Sequence, residues 1–188
     1  MICILRPNLY TAAEMTDFRI RHSTNDPADA EGLASVTIDV VEGGASVGFM
    51  LPLSREQAVS FWRHCQAAVV RGERILLVAE DPSNNEIVGT VQVILTMPAN
   101  QPHRGEIAKM QVHSSARRRG LGAALMRSAE AAARDAGKTL LVLDTVTDSD
   151  AHRLYSRLGW IAVGEVPEFA LWPTGGYCPT TFFYKKLV

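Results

Sequence analysis

The sequence predicts one α/β domain, in which a mixed sheet of about seven strands is flanked by about four helices. Segments of strand-like and helix-like apolar spacing follow one another in the order β-α-α-β-β-β-α-β-α-β-β. Residues 140–146 are nearly continuously apolar, which is typical of a central strand covered on both faces. The chain of 188 residues has no repeat or linker-like tract, so we expect a single domain at 17–188 after a tail at 1–16.

The first part of this domain is expected to hold a strand and two helices. Residues 17–22 alternate apolar and polar side chains, as a half-buried strand does. The Asp-Pro pair at 26–27 supplies an N-cap and a first-turn proline for a helix that the glycines at 43–44 end. The Ser-Arg-Glu-Gln segment at 54–57 is a capping box for a second helix, which Gly72 closes.

Three strands and a helix are predicted next. Residues 75–79 and 87–95 are the strands of a hairpin, because the Pro-Ser-Asn-Asn segment between them favours a turn. Residues 106–112 form the third strand. An arginine-rich loop follows it, and then an amphipathic helix that ends at Gly137.

The last part begins with the apolar strand at 140–146, which Asp144 interrupts. Asp148 or Ser149 then caps a short helix that stops at Gly159. Residues 160–166 and 180–187 are the two last strands. The segment between them, rich in proline, glycine and aromatic residues, is predicted to be a loop.

Composition argues against several classes of protein. The net charge of −1 gives no reason to expect binding to nucleic acid or to a membrane surface. The three cysteines are widely spaced and the five histidines are scattered, so neither a disulfide framework nor a metal site is expected. No apolar run approaches the roughly 18 residues of a membrane span. These features favour a cytoplasmic protein.

The loop Arg117-x-x-Gly120-x-Gly122 is the clearest candidate site. It lies between a strand and a helix, where the unpaired N–H groups of the first helical turn favour anions. Glycines allow a diphosphate close to the backbone, and Arg117, Arg118 and Arg119 add positive charge. The alternative is a solvated basic turn. The spacing fits neither a Walker loop nor a dinucleotide fingerprint.

This loop, placed after the strand Glu-Ile-Ala-Lys-Met-Gln-Val at 106–112, resembles the acetyl-CoA motif of the GNAT superfamily of N-acetyltransferases. The segment Ala151-x-x-Leu154-Tyr155-x-x-x-Gly159-Trp160 resembles that superfamily's second signature. The resemblance implies a GNAT-type fold with acetyl-CoA as the acetyl donor. It also implies a set of donor-binding residues: Met110, Gln111, Val112, Arg117, Arg118, Arg119, Gly120, Leu121, Gly122, Asp148 and Tyr155.

A narrower resemblance is to the tabtoxin-resistance acetyltransferases. It is carried by residues 42–50, by Leu-Asp-Thr at 143–145, and by the segments 164–167 and 179–185. In that group the acceptor is an amino group of a toxic β-lactam amino acid. The resemblance therefore implies a small-molecule amine as acceptor. A protein N-acetyltransferase and a non-catalytic acetyl-CoA sensor are the alternatives, and a homodimer is expected from what is common in the superfamily.

Three residues are candidates for proton transfer. The resemblance makes Glu106 the first candidate base, while Asp144 is the second because a carboxylate in an apolar strand needs a partner or a function. Either carboxylate could instead have only a structural or surface role. Tyr155 lies where the superfamily places a tyrosine near the thioester sulfur, and its alternative is a core aromatic. Asp148 departs from the asparagine that is frequent in the superfamily, which puts its contact with the donor in doubt.

The acceptor residues are the least determined. The resemblance places residues 45–53 and 165–181 around the acceptor. Phe49, Phe169, Trp172 and Tyr177 could then wall a small pocket, and Glu42 or Glu168 could hold a cationic amine. Alternatively, these aromatic residues only fix the two loops in place.

Overall fold

The computed structural model describes residues 17–187, so the predicted tail at 1–16 lies outside the described residues. Seven strands, four α-helices and a short 3₁₀ turn follow one another within that range in the predicted order. They are β1 (Arg19–His22), α1 (Pro27–Glu42), α2 (Arg55–Val70), β2 (Arg74–Glu80), β3 (Ile87–Ile94), β4 (Arg104–Val112), the turn Ser114–Ala116, α3 (Leu121–Asp135), β5 (Leu140–Val146), α4 (Asp150–Arg157), β6 (Ile161–Leu171) and β7 (Tyr177–Lys186).

The strands form one mixed sheet in the order β1-β2-β3-β4-β5-β7-β6. β4 and β5 are parallel, and the other neighbouring strands are antiparallel. The β4–β5 pairing extends only to Glu106 and Val142, after which the two strands separate. Lys109 has a φ of +50° where the β3–β4 register shifts, so a bulge bends β4 at this point. The separation opens the sheet in its middle.

Helices cover the sheet unequally on its two faces. α1 and α2 pack on β2 and β3, where their apolar sides enclose Leu76 and Val78. α3 and α4 pack on the other face, over Leu141, Leu143 and Phe183. The prediction that β5 is covered on both faces is wrong. Its residues alternate between buried and accessible, and Asp144 is exposed on the face that α1 and α2 leave open.

The local signals in the sequence have their predicted effects. Asp26 caps α1 by accepting a hydrogen bond from the N–H of Ala28, and Ser54 and Gln57 form the capping box of α2. For α4, the cap is Ser149 and not Asp148.

The segment predicted as a loop before the last strand is instead a long β-hairpin. β6 continues to Leu171 and β7 begins at Tyr177, with Gly175 and Gly176 in the left-handed region at the turn. Pro167 is compatible with a strand here because β6 is at the edge of the sheet.

Candidate active site

A cleft of about 1220 Å³ occupies the opening between β4 and β5. Residues from both faces of the sheet line it, so the cleft connects the α3–α4 face with the α1–α2 face. We call the α3–α4 side, with residues 110–112, 117–122 and 147–155, the donor side. We call the other side, with Glu106, Lys109, Asp144, the 43–53 loop and the tip of the β6–β7 hairpin, the acceptor side.

On the donor side, α3 begins without a side-chain cap. Gly120 is its N-cap residue, with a φ of +77°, and no side chain accepts a hydrogen bond from the first turn. Arg118 also adopts a positive φ, of +61°, so the loop turns sharply into the helix. The start of α3 therefore lines the cleft with first-turn N–H groups, which favour an anion at such a position.

The two glycines of the motif serve different purposes. Gly120 is required by its left-handed backbone, which costs an L-residue roughly 1–2 kcal/mol. Gly122 has a different role, because a Cβ atom there would lie 3.1 Å from Leu154 Cδ2. Gly122 thus lets α3 and α4 pack closely, in addition to lining the cleft.

The three arginines of the motif point in different directions. Arg117 lines the cleft and donates from Nε to the carbonyl oxygen of Val112 at 3.1 Å. Arg118 also lines the cleft and is largely exposed, with an ion pair to Asp150 at 2.9 Å. The Arg119 guanidinium instead lies over the Phe18 ring, 4.3 Å from its centroid, and 3.6 Å from Asp81. The structure therefore turns the Arg119 side chain away from the cleft.

An aspartate that sequence reasoning missed fixes this loop. Asp39, in the last turn of α1, accepts hydrogen bonds from the Ser114 N–H at 2.8 Å and from the Ser114 hydroxyl at 2.6 Å. Nothing local in the sequence marks Asp39, because the two segments are 75 residues apart.

Tyr155 lines the cleft from α4 and packs against Trp160 and Phe183. Burial, and to a lesser degree the Asp144 charge, raises the pKa of its hydroxyl well above the usual value. No group within residues 17–187 forms a hydrogen bond with that hydroxyl. Tyr155 therefore keeps its proton at physiological pH and has a free donor on the donor side.

The backbone of β4 beyond Glu106 is an unpaired strand edge facing the cleft. Met110, Gln111 and Val112 line the cleft there. The Gln111 side chain is buried behind them, where its Oε1 accepts from Thr37 Oγ1 at 2.9 Å. This bond ties the bulged strand to α1. Asp148 also lines the cleft, and its φ of +59° is a conformation that aspartate and asparagine tolerate better than most residues.

Glu106 and Asp144 share the acceptor face of the sheet. Glu106 pairs with Val142, and Asp144 lies two residues further along β5, so both side chains project to the same side. Both line the cleft. Protein atoms crowded around Asp144 raise the pKa of its carboxyl, although Lys109 partly opposes this. Glu106 Oε2 lies 3.7 Å from Arg104 Nη1.

The two segments that the sequence places around the acceptor contact each other. The Ser46 hydroxyl donates to the carbonyl oxygen of Leu171 at 2.8 Å, and the Leu51 N–H donates to that of Pro173 at 2.9 Å. Together, the 43–53 loop and the hairpin tip border the acceptor side. Trp172 and Phe169 line the cleft there.

The other predicted acceptor residues do not line the cleft. Glu42 is exposed at the end of α1, and Tyr177 is 66% exposed at the start of β7. Phe49 packs edge-on against Phe61, with 5.1 Å between ring centroids. Its position agrees with the alternative in which the aromatic residue fixes its loop. Lys109, which does line the cleft, was missed although a lysine within an otherwise covered strand is a signal in the sequence.

Within residues 17–187 no group of three or more His, Cys, Asp or Glu residues is arranged to hold a metal ion. The same part of the chain contains no helix long and apolar enough to cross a membrane.

The cleft thus passes through the plane of the sheet. The uncapped start of α3 meets it on one side, and the carboxylates of Glu106 and Asp144 meet it on the other. Such a cleft can hold two substrates on opposite sides of the sheet, as a group transferase requires. The chain belongs to the acetyltransferase (GNAT) family, whose sequence model matches residues 46–160. It is an acetyl-CoA-dependent acetyltransferase with the α/β fold of that family.

Solved structures have the same fold at low sequence identity. The yncA protein of Salmonella typhimurium, solved with its cofactor acetyl-CoA, is 21% identical with a TM-score of 0.74, and the match covers 91% of this chain and 94% of that one. A ribosomal-protein-alanine N-acetyltransferase of Brucella melitensis is 23% identical with a TM-score of 0.73, over 90% and 99% of the two chains. A candidate phosphinothricin N-acetyltransferase is 16% identical with a TM-score of 0.72, over 91% and 99%.

Proposed function

We propose that this acetyltransferase transfers the acetyl group directly to a primary amine of a small molecule. The observation that carries the proposal is the border of the acceptor side, where the 43–53 loop is hydrogen-bonded to the hairpin tip. The bulky residues Trp172 and Phe169 line the cleft at this border. A cleft bordered by a fixed loop and aromatic residues suits a small molecule better than an extended protein segment.

The donor side has the groups needed to hold acetyl-CoA, which supplies an acetyl thioester. Arg117, Arg118 and the N–H groups at the start of α3 would hold its diphosphate. The free edge of β4 at residues 110–112 would pair with the pantetheine arm. Backbone N–H groups of the same segment would stabilise negative charge on the thioester oxygen.

Proton transfer is assigned to three side chains. The acceptor amine must be unprotonated to attack, and Asp144 or Glu106 would take its proton, directly or through water. Burial raises the pKa of the Asp144 carboxyl, so Asp144 would hold a proton more readily than an ordinary aspartate does, which favours it for this role. Tyr155, which stays protonated, would donate to the departing thiolate.

The identity of the acceptor is proposed from resemblance. The segments shared with the tabtoxin-resistance acetyltransferases support a toxin or antibiotic with an amino group, such as a β-lactam amino acid. The structural neighbours do not decide between acceptor classes, because one is named for a ribosomal protein and another for the small molecule phosphinothricin. A peptide acceptor is therefore the second candidate.

The proposal is tested by following acetyl-CoA consumption with purified protein over a panel of small amines and peptides. We expect turnover with small amines and little with peptides. The Tyr155→Phe/Glu106→Gln double variant should lose at least roughly 100-fold in kcat, a typical loss for removing acid–base groups. Glu56→Gln, an exposed change on α2, is the matched control.

Three results would contradict the proposal. Turnover confined to peptides would move the acceptor to the second class. Acetyl-CoA binding without turnover on any amine would favour a sensor. Turnover that is unaffected in the double variant would remove the catalytic roles assigned to Tyr155 and Glu106.

A homodimer formed through β6 is part of the same proposal. β6 is an edge strand, and its apolar residues Ile161 and Val163 are 53% and 70% exposed. Long apolar edges are liable to pair with another chain unless they are covered. Val163→Lys should convert a dimer to a monomer in light scattering, and a monomeric wild type would contradict the proposal.

We place the enzyme in the cytoplasm, where acetyl-CoA is used.

A further inference from the structure

Lys109 is a cation without a partner in the middle of the acceptor side. It lies at the β4 bulge and lines the cleft together with Glu106 and Asp144. It forms no hydrogen bond or ion pair within residues 17–187. Its Nζ lies 5.6 Å from the centroid of the Phe61 ring, a contact that orients the ammonium without neutralising it.

The 43–53 loop passes close to this ammonium at Gly48. A Cβ atom on Gly48 would lie 3.2 Å from Lys109 Nζ, so a side chain at position 48 would crowd the cation. Gly48 also lines the cleft, and its φ of +88° disfavours any other residue there. Glycine at this position therefore keeps a side chain away from the ammonium.

Arg74 is a second cation near Lys109. Burial is the main influence that lowers the pKa of Lys109, and Arg74 lowers it further, whereas Cys65, Asp144 and Glu106 raise it. Arg74 donates to Gln92 Oε1 at 2.6 Å and to Cys65 Sγ at 3.4 Å, and its Nε is buried without a hydrogen-bond partner in the described part of the chain. Burial raises the pKa of the Cys65 thiol, which opposes a negative charge on its sulfur.

The carboxylates of the acceptor side influence Lys109 but do not pair with it. Asp144 and Glu106 raise the pKa of the lysine, yet no ion pair of 4.0 Å or less joins them to it within the described residues. Negative and positive groups thus line the same space with a gap between them. A molecule that carries both charges can fill such a gap and satisfy both ends.

We propose that Lys109 binds a carboxylate of the acceptor, so that the substrates of this enzyme are amino-acid-like molecules with a primary amine and a carboxylate. The amine end would lie at Asp144 and Glu106, and the carboxylate end at the Lys109 ammonium. This inference rests on the proposed function and narrows its acceptor class. Lys109 is then a specificity residue and takes no part in proton transfer.

The test uses matched pairs of acceptors in which a carboxylate is replaced by a carboxamide, such as amino acids and their amides. We expect wild-type kcat/KM to favour the carboxylate member by roughly 10- to 100-fold, the usual value of a hydrogen bond to a charged group. Lys109→Met should abolish most of that preference through KM, with the KM for acetyl-CoA unchanged. Lys109→Arg should restore part of it, and Lys186→Met, a change at an exposed lysine on β7, should preserve it.

A structural role for Lys109 would give a different pattern. If Lys109 only adjusts the catalytic carboxylates, Lys109→Met lowers kcat equally for both members of a pair and shifts the pH profile. That result would overturn the inference, as would wild-type turnover confined to amines without a carboxylate. The latter leaves the proposed function intact.

A binding measurement on the wild-type protein tests the inference even if the variants fold poorly or no turnover is found. Titration of the wild-type protein with N-acetyl amino acids and their N-acetyl amides, in the presence of CoA, measures the carboxylate preference directly. Tighter binding of the acids supports the inference. Equal binding of both series contradicts it. If phosphorylated amines are titrated in the same way, tighter binding of these amines than of the carboxylates also contradicts it.

Discussion

The donor side and the acceptor side of the cleft are built in different ways. The donor side consists largely of backbone: an uncapped helix start at Gly120, a free strand edge at residues 110–112, and one buried hydroxyl on α4. The acceptor side consists of side chains from segments far apart in the chain, joined by contacts such as Ser46 to Leu171. The shape of the donor side therefore depends on local backbone conformation. The shape of the acceptor side depends on contacts between segments that are far apart in the sequence.

The largest expected effect concerns the two carboxylates of the acceptor side. Replacing the true base, by Asp144→Asn or Glu106→Gln, should lower kcat roughly 10²- to 10⁴-fold, the usual contribution of a general base. Replacing the other carboxylate should lower kcat much less. If the two single variants lose equally little, neither carboxylate is the base.

The pH profile sharpens that result. A base must be ionised, so kcat/KM should fall as pH drops through the pKa of the base. Because crowding raises the pKa of Asp144, this fall should begin at a higher pH than for an ordinary aspartate, and Asp144→Asn should remove it. Lys109, Glu106 and Tyr155 face the same region as Asp144. If the fall in kcat/KM at low pH is unchanged in Asp144→Asn, that fall reports the titration of another group.

A change in backbone alone should act on the donor only. Gly120→Ala forces an alanine into the left-handed region, and the resulting strain of roughly 1–2 kcal/mol should raise the KM for acetyl-CoA about 10-fold for every acceptor. Gly137→Ala is the matched control, because Gly137 has nearly the same φ, +76°, at the other end of α3. It should lower Tm similarly without changing that KM. An acceptor-dependent effect of Gly120→Ala would break the comparison.

Trp172→Ala should show the opposite selectivity. Loss of this wall should raise the KM of bulky acceptors roughly 5- to 10-fold, in proportion to the apolar area removed, and leave the KM for acetyl-CoA unchanged. Tyr177→Ala, on the same hairpin but away from the cleft, should change neither KM by more than about 2-fold. If both variants raise the KM of all acceptors alike, the hairpin has only a structural role.

The smallest expected effect separates two neighbouring arginines. Arg118→Gln should raise the KM for acetyl-CoA roughly 2- to 5-fold, because an exposed charge contributes less than about 1 kcal/mol, and added salt should reduce the difference. Arg119→Gln should leave that KM unchanged and lower Tm slightly, since its guanidinium packs on Phe18. Equal effects on KM would place Arg119 in the donor site.

The sequence by itself determined the order of the elements, the caps at Asp26 and Ser54, and the loop of arginines and glycines that leads into α3. These features depend on contiguous residues, so local spacing and backbone preference are enough to predict them. The family resemblance added the donor, because its motifs lie within short segments.

Only the tertiary structure decided which side chains share the cleft. It buried Gln111, turned Arg119 away, left Asp144 exposed, and assigned to Gly122 a packing role against Leu154. It also brought Lys109 into the cleft without a partner in the described chain. Those outcomes depend on the separation of β4 and β5 and on contacts between residues far apart in sequence. Local spacing in the sequence does not predict such contacts.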